Sequence, residues 1–219
     1  MSILIPWSGG LDSTKLLIDA LAAGHTVYPV YFECKNNVAK TKKEKSAIKK
    51  IHKSLMKRYK DTLTDIKFPV TIFLNVCTEE VTLKQPPLWV LGIIYSITKD
   101  IDEVHIGYVQ NDCAVSWIQE IKKLYQSYKP FTSLKKLPKL KFPLIKEYKN
   151  SIWKSLEHYD FERQNTHFCE YGADCGECEP CKRYKYDGLF EVYNRNKPLA
   201  SAINSVDHLN PIEETIQIP

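Results

Sequence analysis

The residues best able to do chemistry fall in two groups, and the first is the hexapeptide Ser8-Gly9-Gly10-Leu11-Asp12-Ser13. It follows the apolar run Ile3-Leu4-Ile5 and leads through Thr14 into the helical-looking Lys15-Leu16-Leu17-Ile18-Asp19-Ala20-Leu21. Strand, glycine turn and helix in that order make an anion site. The two glycines permit positive φ, Ser8 and Ser13 offer hydroxyls, and the unpaired amides of the helix start face the turn. A pyrophosphate matches that charge pattern. The spacing is neither that of the Gly-Lys-Ser/Thr loop of common ATPases nor that of a Gly-x-Gly-x-x-Gly dinucleotide turn. The bland alternative is a helix start capped by an Asp or Ser side chain.

The second group lies far along the chain: Cys169, then Cys175-Gly176-Glu177-Cys178-Glu179-Pro180-Cys181. Four thiolates at this spacing are enough to close a tetrahedral zinc shell, which leaves no open position and is therefore structural. Gly176 suits the tight turn between two ligands. An iron–sulfur cluster takes the same four thiolates, and disulfides would consume them in pairs. His167 is the nearest spare ligand and could replace Cys169 in a Cys3His shell. Cys34, Cys77 and Cys113 stand apart and read first as small core residues, with Cys113 the most interesting as a nucleophile.

Composition bounds the setting. The 219 residues are 43% hydrophobic, enough for one substantial core. Seven cysteines, four of them grouped, fit a reducing compartment. The amino-terminal residues lack the basic start of a signal peptide, and no apolar run approaches membrane-spanning length. A cytoplasmic protein with no membrane partner is the expectation. The net charge of +5 is concentrated between Lys35 and Lys60. There Ala47, Ile48, Ile51, Leu55 and Tyr59 recur at helical spacing, so the stretch reads as an amphipathic helix with a solvated lysine face. Attraction of a polyanion such as tRNA is the functional reading of those lysines; an ordinary surface is the plainer one.

These groups need a scaffold. Gly24 can end the first helix, and 26–32 reads as a second strand. The lysine helix follows, then a third strand over 70–74. Pro86-Pro87 opens an apolar helix through Ile97. A fourth strand is expected over 104–108, a helix over 115–124, a lysine-rich connector over 129–141, and a short strand at Phe142-Pro143-Leu144-Ile145 leading to a helix near 151–156. Alternating strands and helices imply a doubly wound α/β parallel sheet covered on both faces, with ligands beyond the carboxyl ends of its strands. The expected division is 1–160 for this Rossmann-like domain and 161–219 for a small helical cysteine subdomain and tail, the part beyond Ala200 being irregular.

The hexapeptide resembles the SGGxDS signature of the PP-loop ATP pyrophosphatases. Together with the carboxy-terminal cysteines, Lys182-Arg183, Phe142-Pro143-Leu144 followed by Lys149, and Gly107 with Asp112, it resembles the QueC family, the 7-cyano-7-deazaguanine synthases of queuosine precursor synthesis. The resemblance implies a PP-loop fold, ATP and Mg2+, and a structural Zn2+ on Cys169, Cys175, Cys178 and Cys181. It implies that Ser8, Gly9, Gly10, Leu11, Asp12, Ser13 and Thr14 hold the nucleotide. Tyr31, Phe32 and Gly107 would wall it, and Tyr108 and Asp112 would meet the substrate. Asp12, Lys149 and Arg183 would carry the chemistry. The implied reaction adenylates the carboxylate of 7-carboxy-7-deazaguanine, lets ammonia displace AMP, and converts the amide to the nitrile preQ0 with a second ATP.

The pocket segments depart from the family pattern. Glu33-Cys34-Lys35-Asn36-Asn37 replaces Tyr-Gly-Gln-x-His, Gln85-Pro86-Pro87-Leu88-Trp89 replaces a Pro-Gly-Arg-Asn segment, and Val109-Gln110-Asn111-Asp112-Cys113 replaces Ser-Gly-Tyr-Pro-Asp-Cys. Divergent QueC-like proteins occur in antiphage gene clusters, where the activated acid could pass to an amine of a protein or nucleic acid. The same phosphate turn would also serve tRNA thiolation through Cys113, amidation of another small acid, or a nucleotide-binding subunit without turnover. Trp89 and the apolar run 88–97 could be core or the face of a homodimer.

Overall fold

The computed structural model describes residues 1–34, 38–63, 67–72, 77–78, 81–82, 85–171 and 174–190, with backbone alone at 34 and from 67 to 82. The expectations for the tail beyond Ala200, for 35–37 and for the end of the third strand past 72 lie outside these residues.

In chain order the elements are β1 (Ser2–Pro6), α1 (Leu11–Ala22), β2 (Thr26–Cys34), α2 (Val38–Arg58), β3 (Lys67–Ile72), the short antiparallel pair β4 (Cys77–Thr78) and β5 (Val81–Thr82), and α3 (Gln85–Ser96). There follow β6 (Glu103–His105), a 3-10 segment Cys113–Trp117, α4 (Ile118–Ser127), β7 (Lys139–Lys141), α5 (Lys149–Ser155), α6 (Asp160–Gln164) and α7 (Glu179–Tyr186). The main sheet runs β3-β2-β1-β6-β7, with every pair parallel. This is the expected Rossmann-like α/β fold. Winding proceeds outward from β1 in one direction and returns through β6 in the other, so the switch point lies between β1 and β6.

Period-two alternation explains the layers. On β1, Ile3 and Ile5 enter one core with Leu17, Ile48, Ile51, Trp153 and Tyr184, while Leu4 enters the other with Phe32, Val90, Ile93 and Tyr125. The first face is covered by α1, α2, α5 and α6, the second by α3 and α4. On α2 the stripe Ala47, Ile48, Ile51 and Leu55 is buried as the spacing predicts, and Lys42, Lys43, Lys49, Lys50, Lys53 and Lys57 are exposed. Helix α1 ends in a Schellman motif: Gly24 at φ +74° donates to Leu21 O, and His25 N to Ala20 O.

Three boundaries differ from the sequence reading. The last strand is Lys139–Lys141, not Phe142 to Ile145. It is a sheet edge whose lysines face outward, so it has no apolar alternation to read, and Pro143 cannot extend it for want of an N–H. Strand β6 stops at His105, which leaves Gly107 and Tyr108 in the loop beyond it. The helix expected from Val115 is a 3-10 segment up to Trp117 and α-helical only from Ile118.

Candidate active site

The hexapeptide occupies the switch point. Trp7 N donates to Val30 O at 2.8 Å and carries the chain off β1 into the turn. Only one of the two glycines takes positive φ: Gly9 is at +73°, whereas Gly10 is extended and serves as the N-cap of α1. That N-cap makes no side-chain hydrogen bond, so a helix start capped by Asp or Ser is not what the turn contains. Ser13 Oγ donates instead to Gly10 O at 3.3 Å. The first-turn amides and the positive end of α1 are directed at the turn.

Helix α2 and the loop beyond β6 press on it. A Cβ at Gly9 would lie 3.1 Å from Ala47 Cβ and 3.2 Å from Glu44 O, and one at Gly107 would lie 3.2 Å from Asp12 C and Ser13 N. Gly9→Ala therefore meets both unfavourable φ and a packed helix, and Gly107→Ala meets backbone that cannot swing aside. We expect Gly9→Ala to weaken binding of an ATP analogue at least about tenfold while the circular dichroism spectrum is kept, a position effect of about 1–3 kcal/mol. Titration of both variants with the analogue checks this.

Two cations reach the turn from distant parts of the chain. Lys149, opening α5, forms an ion pair with Asp12 Oδ2, and both side chains are largely buried. Lys149 Nζ also lies 5.8 Å from the Tyr184 ring. The other oxygen, Asp12 Oδ1, is buried with no hydrogen-bond partner among the described residues. Burial pushes the Asp12 carboxyl up, and Lys149 opposes the shift without cancelling it. Arg183 Nη1 binds Asp112 Oδ1 at 2.7 Å, and its Nη2 approaches the exposed Cys113 Sγ at 3.2 Å. Val109 N donates to Asp112 Oδ2 at 3.0 Å, so both Asp112 oxygens are engaged in holding the loop and Arg183.

Two adjoining cavities flank the turn. The smaller, about 110 Å³, is walled by Trp7, Tyr31, Phe32, Trp89, Gly107 and Tyr108. The larger, about 230 Å³, is lined by Leu11, Lys40, Asp112, Lys149, Arg183 and Tyr184 among others. Ser8, Gly10, Asp12, Glu44 and Trp89 border both. Thr14 stands behind the turn, fully buried, its hydroxyl accepting Trp7 Nε1 at 3.0 Å. Tyr108 is 7% exposed, and its buried hydroxyl has no partner among the described residues.

Sequence pattern alone does not single out Glu44. Its signal is that it shares a helical stripe with Ile48, Ile51 and Leu55, so a carboxylate stands where an apolar residue belongs. Its Oε2 accepts the Tyr31 hydroxyl at 2.7 Å. Burial raises its pKa, outweighing Lys40 one turn earlier. A carboxyl raised on folding adds stability that is complete below its unfolded value of 4.5 and lost as pH rises through the folded one. Glu44→Gln should therefore raise the melting temperature at pH 8 by about 2–4 °C, the shift about 1 kcal/mol gives in a chain this long, and the gain should vanish near pH 4. Calorimetry at the two values checks it.

The four grouped cysteines converge, with all Sγ atoms within 4.8 Å of one another. The Cys175–Cys181 and Cys178–Cys169 sulfur separations are 3.9 and 4.0 Å, so these are not disulfides. Cys175 N donates to Cys169 Sγ at 3.4 Å and Cys178 N to Cys175 Sγ at 3.3 Å, which favours thiolate charge on the sulfurs. Gly176 has φ +76°, as the turn requires. His167 is not in this shell: its Nε2 faces Cys169 O at 2.7 Å, and its backbone N donates to Gly9 O at 2.9 Å. The cysteine group is thereby tied to the phosphate turn, and Arg183 lies on α7, whose first turn includes Cys181.

A family model described as "Queuosine biosynthesis protein QueC" matches residues 2–191. The chain belongs to the QueC family. The turn, Lys149, Arg183 and all four grouped cysteines fall inside the QueC match. A 7-cyano-7-deazaguanine synthase of Nautilia profundicola is 28% identical over 203 residues, covering 80% of this chain and 87% of the relative. Among solved structures, the U34-tRNA thiolase NcsA from Methanococcus maripaludis with its 4Fe-4S cluster aligns with TM-score 0.44 and 18% identity, over 90% of this chain and 67% of that one. For this QueC member, no helix among the described residues is long and apolar enough to cross a membrane.

Proposed function

We propose that this chain uses ATP to activate the carboxylate of 7-carboxy-7-deazaguanine and passes the acyl group to a nitrogen nucleophile, ammonia in the simplest case, on the way to the nitrile. The observation that carries the reading is the convergence of Asp12–Lys149 and Asp112–Arg183 on an uncapped phosphate turn, in a chain resembling a 7-cyano-7-deazaguanine synthase. A carboxylate is a poor electrophile because oxide would have to leave. Its oxygen attacks the α-phosphorus, pyrophosphate departs, and the acyl adenylate then has AMP as leaving group. The amine lone pair attacks the acyl carbon, AMP leaves and the nitrogen gives up a proton. A second ATP takes the amide oxygen in the same way, so each carboxylate oxygen leaves on one AMP.

The protein's part is positioning and charge. Turn amides and Lys149 face the departing pyrophosphate, and Arg183 supplies a second cation at the larger cavity. Mg2+ would neutralise the phosphates, with Asp12 Oδ1, unpartnered among the described residues, as its candidate ligand. The four cysteines suit Zn2+. A tetrahedral ion with Zn–S bonds of about 2.3 Å sets neighbouring sulfurs about 3.8 Å apart, near the Cys175–Cys181 and Cys178–Cys169 separations of 3.9 and 4.0 Å. The four irons of a cubic cluster would spread the thiolates further.

Transfer to an amine on a larger acceptor is a second reading, favoured by one feature. The site opens beside Arg183 into a surface concavity of about 1120 Å³ lined by Asn111, Cys113, Tyr148, Lys182 and Tyr186. Incubation with ATP, Mg2+ and the acid, with and without ammonia, should yield pyrophosphate and the amide or nitrile. Pyrophosphate with products that require a macromolecular amine would select the second reading, and no pyrophosphate with the acid would refute both.

A further inference from the structure

We propose that Glu44, steadied by Tyr31, is the specificity-determining residue for the heterocycle: its carboxylate accepts from the adjacent ring N–H and exocyclic amino group of a guanine-type edge, against the aromatic wall of Phe32 and Trp89. The inference deepens the deazaguanine reading and rests on it.

The position of the residue makes the case. Glu44 is the sole acid of α2, and while Lys42, Lys43, Lys49, Lys50, Lys53 and Lys57 of that helix turn to solvent, it turns inward to border both cavities, with Lys40 one turn earlier bordering the larger. Its own backbone oxygen would lie 3.2 Å from a Cβ on Gly9, so it stands directly against the phosphate turn. A carboxylate beside bound phosphates is repelled and poorly solvated; the Tyr31 hydroxyl and Lys40 offset part of that cost, and hydrogen-bond donors or a cation on a ligand would offset more. Its surroundings decide between these. Phe32 and Trp89 pack at 5.6 Å between ring centroids with their planes tilted by 50°, and Tyr31 is 1% exposed, which makes an aromatic wall beside Glu44 suited to a heterocycle, while the proposed Mg2+ has Asp12 Oδ1 for its ligand.

Hydrogen-bond capacity names the edge. An ionised carboxylate accepts at about four positions, and the Tyr31 hydroxyl uses one. Adenine offers one amino group beside ring nitrogens whose lone pairs would oppose the carboxylate. A guanine-type ring offers a ring N–H and an amino group side by side, which two carboxylate oxygens can take together. Tyr108, also lining the smaller cavity, has a hydroxyl with no partner among the described residues that can donate to an acceptor such as a ring carbonyl.

The test compares two probes, 7-carboxy-7-deazaguanine and its counterpart lacking the exocyclic amino group. Each is titrated calorimetrically into protein saturated with Mg2+ and the uncleavable α,β-methylene analogue of ATP. Wild type should prefer the guanine-type acid by about 10–100-fold, as loss of hydrogen bonds to a charged group implies. Glu44→Ala should bring the ratio to within about threefold of unity. Glu44→Gln, which keeps one acceptor and the Tyr31 contact, and Tyr31→Phe should fall between. An unchanged ratio in folded Glu44→Ala or Glu44→Gln overturns the inference while leaving the proposed function intact. So does a loss of Mg2+-dependent analogue binding with the ratio preserved, which would make Glu44 a cation ligand. If wild type binds neither acid, the functional reading fails and this inference falls with it.

Discussion

Lys149→Met should lower the rate of pyrophosphate release by about 100–1000-fold, the usual loss when one aligned charge is withdrawn from a developing anion. Methionine keeps the length that packs toward Tyr184 and removes only the ammonium. Binding of the ATP analogue should weaken far less, because the turn amides of α1 remain. A pH dependence separates this from general damage. In wild type the ionised Asp12 is held by Lys149. Without that partner its pKa rises further, so the variant's stability deficit should grow as pH increases above about 4, the unfolded carboxyl range. Adding Asp12→Asn should recover much of that stability and none of the activity, a coupling that a double-mutant cycle reads directly. Equal pyrophosphate release by Lys149→Met and wild type would remove Lys149 from the chemistry.

Lys149 also shows what the sequence made legible and why. The phosphate turn and the cysteine group are contiguous, and each carries its own physics of φ, hydroxyls, thiolates and spacing, so both could be read before any fold was known. The parallel sheet was legible because buried strands alternate between two cores, as Ile3, Leu4 and Ile5 do. Strand β7 was not, since a lysine-bearing edge strand carries no such pattern. What bound Lys149 to Asp12, across 137 positions, was family resemblance, for nothing local links the two. Asp112, expected at the substrate, lines the larger cavity with its oxygens engaged by Val109 N and Arg183, a pairing that only the folded chain creates. Glu44 escaped because, among so many lysines, its stripe position was outweighed by the helix's composition.

Removing the metal proposed for the four cysteines should have the largest effect on stability. The carboxy-terminal cysteine segment has little apolar cover of its own: Cys169, Cys178 and Cys181 form its buried centre, packed by Phe168, Cys175 and Phe190. In compact metal sites the binding free energy is folding free energy, with apparent values of about 10–16 kcal/mol in zinc-finger peptides. Here Tyr184 and Leu189 also share the main core, so part of the segment's free energy survives without the ion. A loss of about 5 kcal/mol corresponds to a fall in melting temperature of roughly 10–20 °C in a chain of this length. Chelation under reducing conditions, or Cys178→Ser, should show that fall. Activity should go with it, because the cysteine group holds two parts of the site at once. His167 N reaches Gly9 O at the turn, and Arg183 follows Cys181 on α7. Phe168 stacks on Tyr184 at 3.8 Å, which places the ring beneath Lys149. Hydrogen exchange locates the damage. The amides of His167 and of 174–190 should lose protection first, with β1 and β6 still protected. Metal-free protein that melts within about 2 °C of the loaded form, no more than the shift that a loss of about 1 kcal/mol gives, would show that the cysteine group does not hold the site.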